Sequence, residues 1–138
     1  MMDKIAIKSI MDNECLAIRK LLGLMDDQYE MLLKNDLFAL EDIVEKIRIC
    51  NKEIAEAEVE RRKLVNGVNM NSVIAIVNEE GFEKNFRNIK MLLNEIKVQK
   101  DTNEMLIRQG LGFSTRMLNI LNPNRNTSTY NSYGRIAR

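Results

Sequence analysis

The chain contains no histidine, which removes the side chain most often used to move protons near neutral pH and to ligate zinc. The acidic pairs Asp26-Asp27 and Glu79-Glu80 are adjacent in sequence, so on a helix they project in different directions instead of sharing one site. A di-iron centre in a helical bundle needs Glu-x-x-His motifs, and none can exist here. There is no glycine-rich phosphate loop and no nucleophile elbow. Cys15 and Cys50 form no CxxC pair and fall on apolar helix faces, so they are expected as buried reduced thiols rather than a disulfide or a zinc site. The sequence thus reads as no enzyme, with no metal and no cofactor. What remains is the chemistry of recognition, carried by apolar residues at helical spacing and by tyrosines in a polar tail.

Composition agrees with that reading. The 138 residues suit one domain, and 45% apolar with 30% charged content, one proline and six glycines favours helix over the turn-rich sequence of an all-β fold. Trp is absent and Met is abundant, which fits helices zipped by aliphatic and thioether side chains. The net charge is +1 but unevenly placed. Glu104 is the last acid, and Arg108, Arg116, Arg125, Arg135 and Arg138 follow it. Five dispersed arginines without a Lys/Arg cluster do not make a nucleic-acid footprint, so no nucleic-acid partner is expected. The amphipathic N-terminus is unlike a secretory signal, and no apolar run approaches the eighteen residues or so needed to span a bilayer. A cytoplasmic protein without membrane insertion is expected.

The elements that carry the apolar pattern come in order. Met11, Cys15, Ile18, Leu22, Met25, Tyr29 and Leu32 alternate intervals of four and three, predicting a helix over about residues 3–34. Ile10, Ala17, Leu21, Leu24 and Met31 widen the stripe beyond a two-stranded seam, so this helix needs more than one neighbour. Gly23 interrupts it and signals either a close approach or a bend. Asn35-Asp36 breaks the pattern as a tight turn or a kink, with Asp36 as the N-cap of a second helix over about residues 37–65. There Leu40, Ile43, Ile47, Cys50, Ile54, Ala57, Arg61 and Leu64 hold the seam. The charged run from Glu56 to Lys63 reads as a solvated face. Residues 66–71 form a loop by composition, and Ser72 is placed as the cap of a short helix, Val73 to Asn78. Gly81 is expected to end that helix, which plugs one end of the bundle.

The last helix is expected from Phe82 to Leu121, a rod of about 60 Å at roughly 1.5 Å per residue. Leu92, Ile96, Gln99, Asn103, Leu106, Gly110, Phe113, Met117 and Ile120 keep the four-three spacing. Gln99 and Asn103 are either buried amides that enforce register or the mark of a partly exposed seam. Beyond Asn103 the face is more apolar than a lid requires, and Gly110 and Gly112 weaken the helix where that face begins. From Asn122 the sequence turns polar and is expected to be disordered when free, with Tyr130 and Tyr133 as a short linear anchor or as chance tyrosines. The expected fold is therefore all-α: an elongated antiparallel helical bundle or coiled coil of three long helices with one short helix over residues 1–122, followed by a flexible polar tail over residues 123–138.

Three stretches resemble the FlgN family of flagellar type III export chaperones. They are the junction Leu32-Leu33-Lys34-Asn35-Asp36-Leu37-Phe38-Ala39-Leu40, the run Asn103-Glu104-Met105-Leu106-Ile107 followed by Met117-Leu118-Asn119-Ile120-Leu121, and the tail Tyr130-Asn131-Ser132-Tyr133-Gly134. The 66–81 segment has no counterpart in the resemblance, and Thr129 stands where an apolar residue is usual. The resemblance implies a cytoplasmic chaperone that keeps hook-associated, hook–filament junction proteins unassembled by binding their C-terminal helices and delivers them to the export gate. It places client binding on Asn103, Leu106, Ile107, Leu111, Phe113, Met117, Leu118 and Leu121. It places export-gate docking on Tyr130 and Gly134. The competing reading is a structural coiled-coil protein that self-associates through the same face, and a client-free homo-oligomer is compatible with either.

Overall fold

The computed structural model describes residues 3–108. These residues form four helices and no strand: α1 (Lys4–Lys34), α2 (Leu37–Val65), α3 (Met70–Val77) and α4 (Glu80–Arg108). The all-α bundle of three long helices and one short one is present as expected. The residues expected as the flexible tail, and the last part of the long helix from residue 109 to Leu121, lie outside the described residues.

Short polar side chains set the boundaries. Asp3 Oδ1 accepts the amide of Ala6 at 3.1 Å, and Asp36 Oδ1 accepts that of Ala39 at 3.1 Å; each satisfies an amide that the first helical turn leaves orphaned. Asn35 adopts the left-handed conformation (φ 58°). The amides of Asn35 and Asp36 donate back to the carbonyls of Leu32 and Met31 at 3.2 and 3.1 Å. This is the paired bonding of a Schellman cap, so Asp36 closes α1 and opens α2 at once. The connection is the tight turn, not a kink.

Two boundaries differ from expectation. α3 begins three residues earlier than the pattern suggested, because Asn69, and not Ser72, is the cap: its side chain accepts the Ser72 amide at 2.9 Å. Asn78, left-handed at φ 49°, ends that helix. Gly81 instead lies in the first turn of α4, where a Cβ would meet nothing within 4 Å. A third difference concerns hierarchy. The long last helix looks like the axis of the chain, but α1 packs extensively against both α2 and α4, which barely approach each other.

Polar pairs fix the directions. Glu14 faces Arg61, Ala17 faces Cys50 and Leu32 packs with Leu40, so α2 runs antiparallel to α1. Asp12 faces Asn85 and Gln28 faces Asn103, so α4 runs parallel to α1. The core runs along α1 through Ile7, Met11, Cys15, Ile18, Leu21 and Met25, with Cys50 and Val65 from α2 and Phe82, Ile89 and Ile96 from α4. Val73 and Val77 of α3 are buried in the same core, which makes the short helix the expected plug. A second cluster at the opposite end joins Leu32, Leu40, Ile43 and Ile107.

Both cysteines are buried and free. The Cys50 thiol donates to the Ala17 carbonyl at 3.3 Å, and burial pushes its pKa up, so it stays protonated and unreactive near neutral pH. The charged run on α2 is mostly exposed, with Glu58 and Arg61 half-buried; Arg61 is the one that reaches across to α1. Its Nε donates to Glu14 Oε1 at 2.8 Å, with the Glu14 side chain only 6% exposed. Its Nη1 lies 3.7 Å from Met70 Sδ, which ties α1, α2 and the start of α3 together.

Arg61→Leu leaves the Glu14 carboxylate buried without its partner and should cost about 3–5 kcal/mol. The double change Glu14→Leu/Arg61→Leu should recover most of that loss, with urea unfolding as the measurement. Gly23 is exposed, and a Cβ added there would meet no heavy atom within 4 Å, so the close-approach reading of this residue fails. Gly23→Ala should therefore raise stability by about 1 kcal/mol, read as a higher urea midpoint at unchanged slope.

Candidate client-binding site

The candidate residues fall on the last two turns of α4 and beyond. Helical spacing places Ile89, Ile96, Asn103 and Ile107 on one face, and all four are buried against the rest of the bundle. Asn103 is 2% exposed. Its Nδ2 donates to the Met25 carbonyl at 3.1 Å and to Gln28 Oε1 at 2.9 Å, while Gln99 Nε2 donates to its Oδ1 at 2.9 Å. A buried amide is tolerated only when its donors and acceptor are used. Sliding α4 by one turn along α1 would strand this one. Of the two readings of Gln99 and Asn103, the buried amide that enforces register holds.

The placement changes what these residues can do. Asn103 holds α4 to α1, and Ile107 closes the second core cluster between Leu32 and Leu40. Both were expected to meet a client, and as folded both meet the chain's own helices. Leu106 is half-buried beside the same cluster. Within the described residues α4 is therefore bound to the bundle through Asn103 and Ile107. Leu111, Phe113, Met117, Leu118, Leu121, Tyr130 and Gly134 lie outside the described residues.

Two surface features near this site were not expected. Met91, Val98 and Met105 recur at intervals of seven on the outer face of α4, and all three are exposed. That spacing was readable in the sequence, but it lay two residues out of step with the stronger seam through Ile89, Ile96 and Asn103. Second, Phe38 and Leu33 at the α1–α2 turn are 85% and 52% exposed. Glu14 was also missed, because its neighbour Cys15 accounted for the apolar spacing. The signal for it was Arg61, a cation on an apolar seam that needs an acid opposite.

Among the described residues no group of His, Cys, Asp and Glu could hold a metal ion, and no helix is long and apolar enough to cross a membrane. The openings between helices are shallow, solvent-facing clefts. One at the α1–α4 junction is lined by Leu22, Asp26, Glu95 and Val98. What the surface offers is helix-sized apolar contact.

The sequence model of the FlgN protein family matches residues 1–138, the whole chain. The chain belongs to the FlgN family. It is thus a flagellar export chaperone in the general sense that the family carries. No curated protein and no solved structure matches the chain.

Asn103→Ala removes three hydrogen bonds from a buried position and should cost about 1–3 kcal/mol. Urea unfolding followed by circular dichroism checks it.

Proposed function

We propose that this FlgN-family chain is a cytoplasmic chaperone that binds the C-terminal helices of hook–filament junction proteins, keeps them unassembled and hands them to the export gate. The observation that carries the reading is the whole-chain family match. α4 is packed into the bundle at Asn103 and Ile107, and the sequence goes on with apolar residues at Leu111, Phe113, Met117, Leu118 and Leu121. An amphipathic helix laid against such residues is a common form of peptide recognition, read as anchors three and four apart.

In this reading Leu106 sits at the edge of the client contact, and the residues from Leu111 to Leu121 supply most of it. Asn103 and Ile107 position that contact by holding the end of α4 against α1. Tyr130, with Gly134, docks on the export gate, since a tyrosine offers much contact area for little side-chain entropy. The reaction performed is binding and release, with no bond made or broken.

The exposed Met91, Val98 and Met105 favour a second reading, a structural coiled-coil protein that buries this face by self-association. Sedimentation separates the two. A chaperone gains mass when client is added, whereas a stable oligomer with no response to client supports the structural reading.

Met117→Asp/Leu118→Asp should abolish capture of a hook–filament junction protein in pull-down while the thermal melt stays cooperative. Capture equal to that of the unaltered chain would contradict the proposal. Tyr130→Ala should leave client capture intact and weaken binding to the export-gate protein.

A further inference from the structure

The sulfur atoms of the chain are its most easily oxidised groups, and the fold sorts them sharply. Met91 and Met105 are 61% and 49% exposed, whereas Met11 and Met25 are 1% and 8% exposed. Met31 and Met70 are half-buried, and the Met70 sulfur is engaged, since Arg61 Nη1 donates to it at 3.7 Å. That contact draws on a sulfur lone pair, the electrons an oxidant must take. The thiols are withdrawn as well. Cys15 and Cys50 are buried, and the Cys50 thiol donates to the Ala17 carbonyl at 3.3 Å. Burial also holds Cys50 in its protonated form, so the reactive thiolate is scarce there.

Met91 and Met105 share one line on the outer face of α4, with the exposed Val98 midway between them. Fourteen residues are nearly four turns of helix, about 21 Å. This line lies about 200° around the helix from the buried Ile89, Ile96 and Asn103, so an oxygen added to either sulfur meets solvent and not the core.

We propose that Met91 and Met105 are modification sites for peroxide, and that their oxidation to sulfoxides switches the outer face of α4 from apolar to polar while the bundle stays folded. The thioether sulfur gives an electron pair to one oxygen of hydrogen peroxide, and the O–O bond breaks as the S–O bond forms. The proton on the transferred oxygen passes to the departing hydroxide, which leaves as water. Sulfur is oxidised and peroxide reduced. Each sulfoxide puts a polar group where a flexible apolar side chain stood, and of the three only Val98 remains apolar. Neither step depends on which client the chain holds.

Limited treatment of the full chain with hydrogen peroxide, followed by peptide-resolved mass spectrometry, tests the site. Met91 and Met105 should gain oxygen severalfold faster than Met31 and Met70. Met11 and Met25 should stay unoxidised until urea unfolds the chain and brings the rates together. Oxidation of Met11 or Met25 as fast as Met91 in the folded chain would overturn the proposal, as would peroxide consumed first by Cys15 or Cys50. The treated chain and Met91→Gln/Met105→Gln should both elute earlier than the untreated chain from a hydrophobic-interaction column, with a cooperative thermal melt retained. Met91→Leu/Met105→Leu should lose most of the peroxide-induced elution shift, which separates these sulfurs from Met117, outside the described residues. An unchanged elution after oxidation, a full shift in the leucine variant, or loss of the cooperative melt would each overturn the switch.

Discussion

The apolar arc of α1 is too wide for one partner to cover, and the rest of the bundle follows from that excess. Ile7, Met11, Ile18 and Met25 form one line, while Cys15 and Leu21 extend it to either side. Burying one edge requires α2 and burying the other requires α4, and these two outer helices hardly meet. Apolar burial supplies the drive but is indifferent to register. Register comes from a few polar groups placed inside the seams. The Glu14–Arg61 pair sets α2 against α1, and Asn103 on Met25 and Gln28 sets α4 against α1.

This division between drive and register bears on function. An export chaperone works by presenting a surface, and its surface must not be consumed by its own folding. Among the described residues the seams of α1 with α2 and α4 are occupied by the chain's own side chains as far as Ile107. Leu111, Phe113, Met117, Leu118 and Leu121 lie outside the described residues. Asn103 and Ile107 hold the described end of α4 against α1 and the start of α2. Phe38 and Leu33 are exposed at that same end of the bundle, although they are some seventy residues away in sequence.

Much of the fold was legible in the sequence because it obeys local rules. The limits of α2 follow from Asp36 and from the loop at Asn66-Gly67, and the seam of α1 follows from its four-three spacing. What was not legible depended on which of two similar local signals wins. Asn69 and Ser72 are both good caps, and only the backbone decides which accepts the other's amide. Asn78 and Gly81 can both end a helix; the left-handed conformation fell to the asparagine. The central role of α1 was obscured because α4 is the more conspicuous rod, and breadth of apolar arc, not length, determines how many neighbours a helix gathers. At the candidate site, Asn103 was visible as a polar residue in an apolar seam. Its partner Gln28 was not, since a long-range amide contact leaves no periodic trace.

The central claim is that the client is held by the chain beyond Ile107 while the bundle stays intact. Hydrogen–deuterium exchange on the full chain, with and without a peptide spanning the C-terminal helix of a hook–filament junction protein, tests it most directly. The account predicts new protection confined to residues 109–121 and unchanged exchange along the α1–α2 seam. Protection gained along the α1–α2 seam, or loss of protection around Asn103 as α4 detaches from α1, would contradict it.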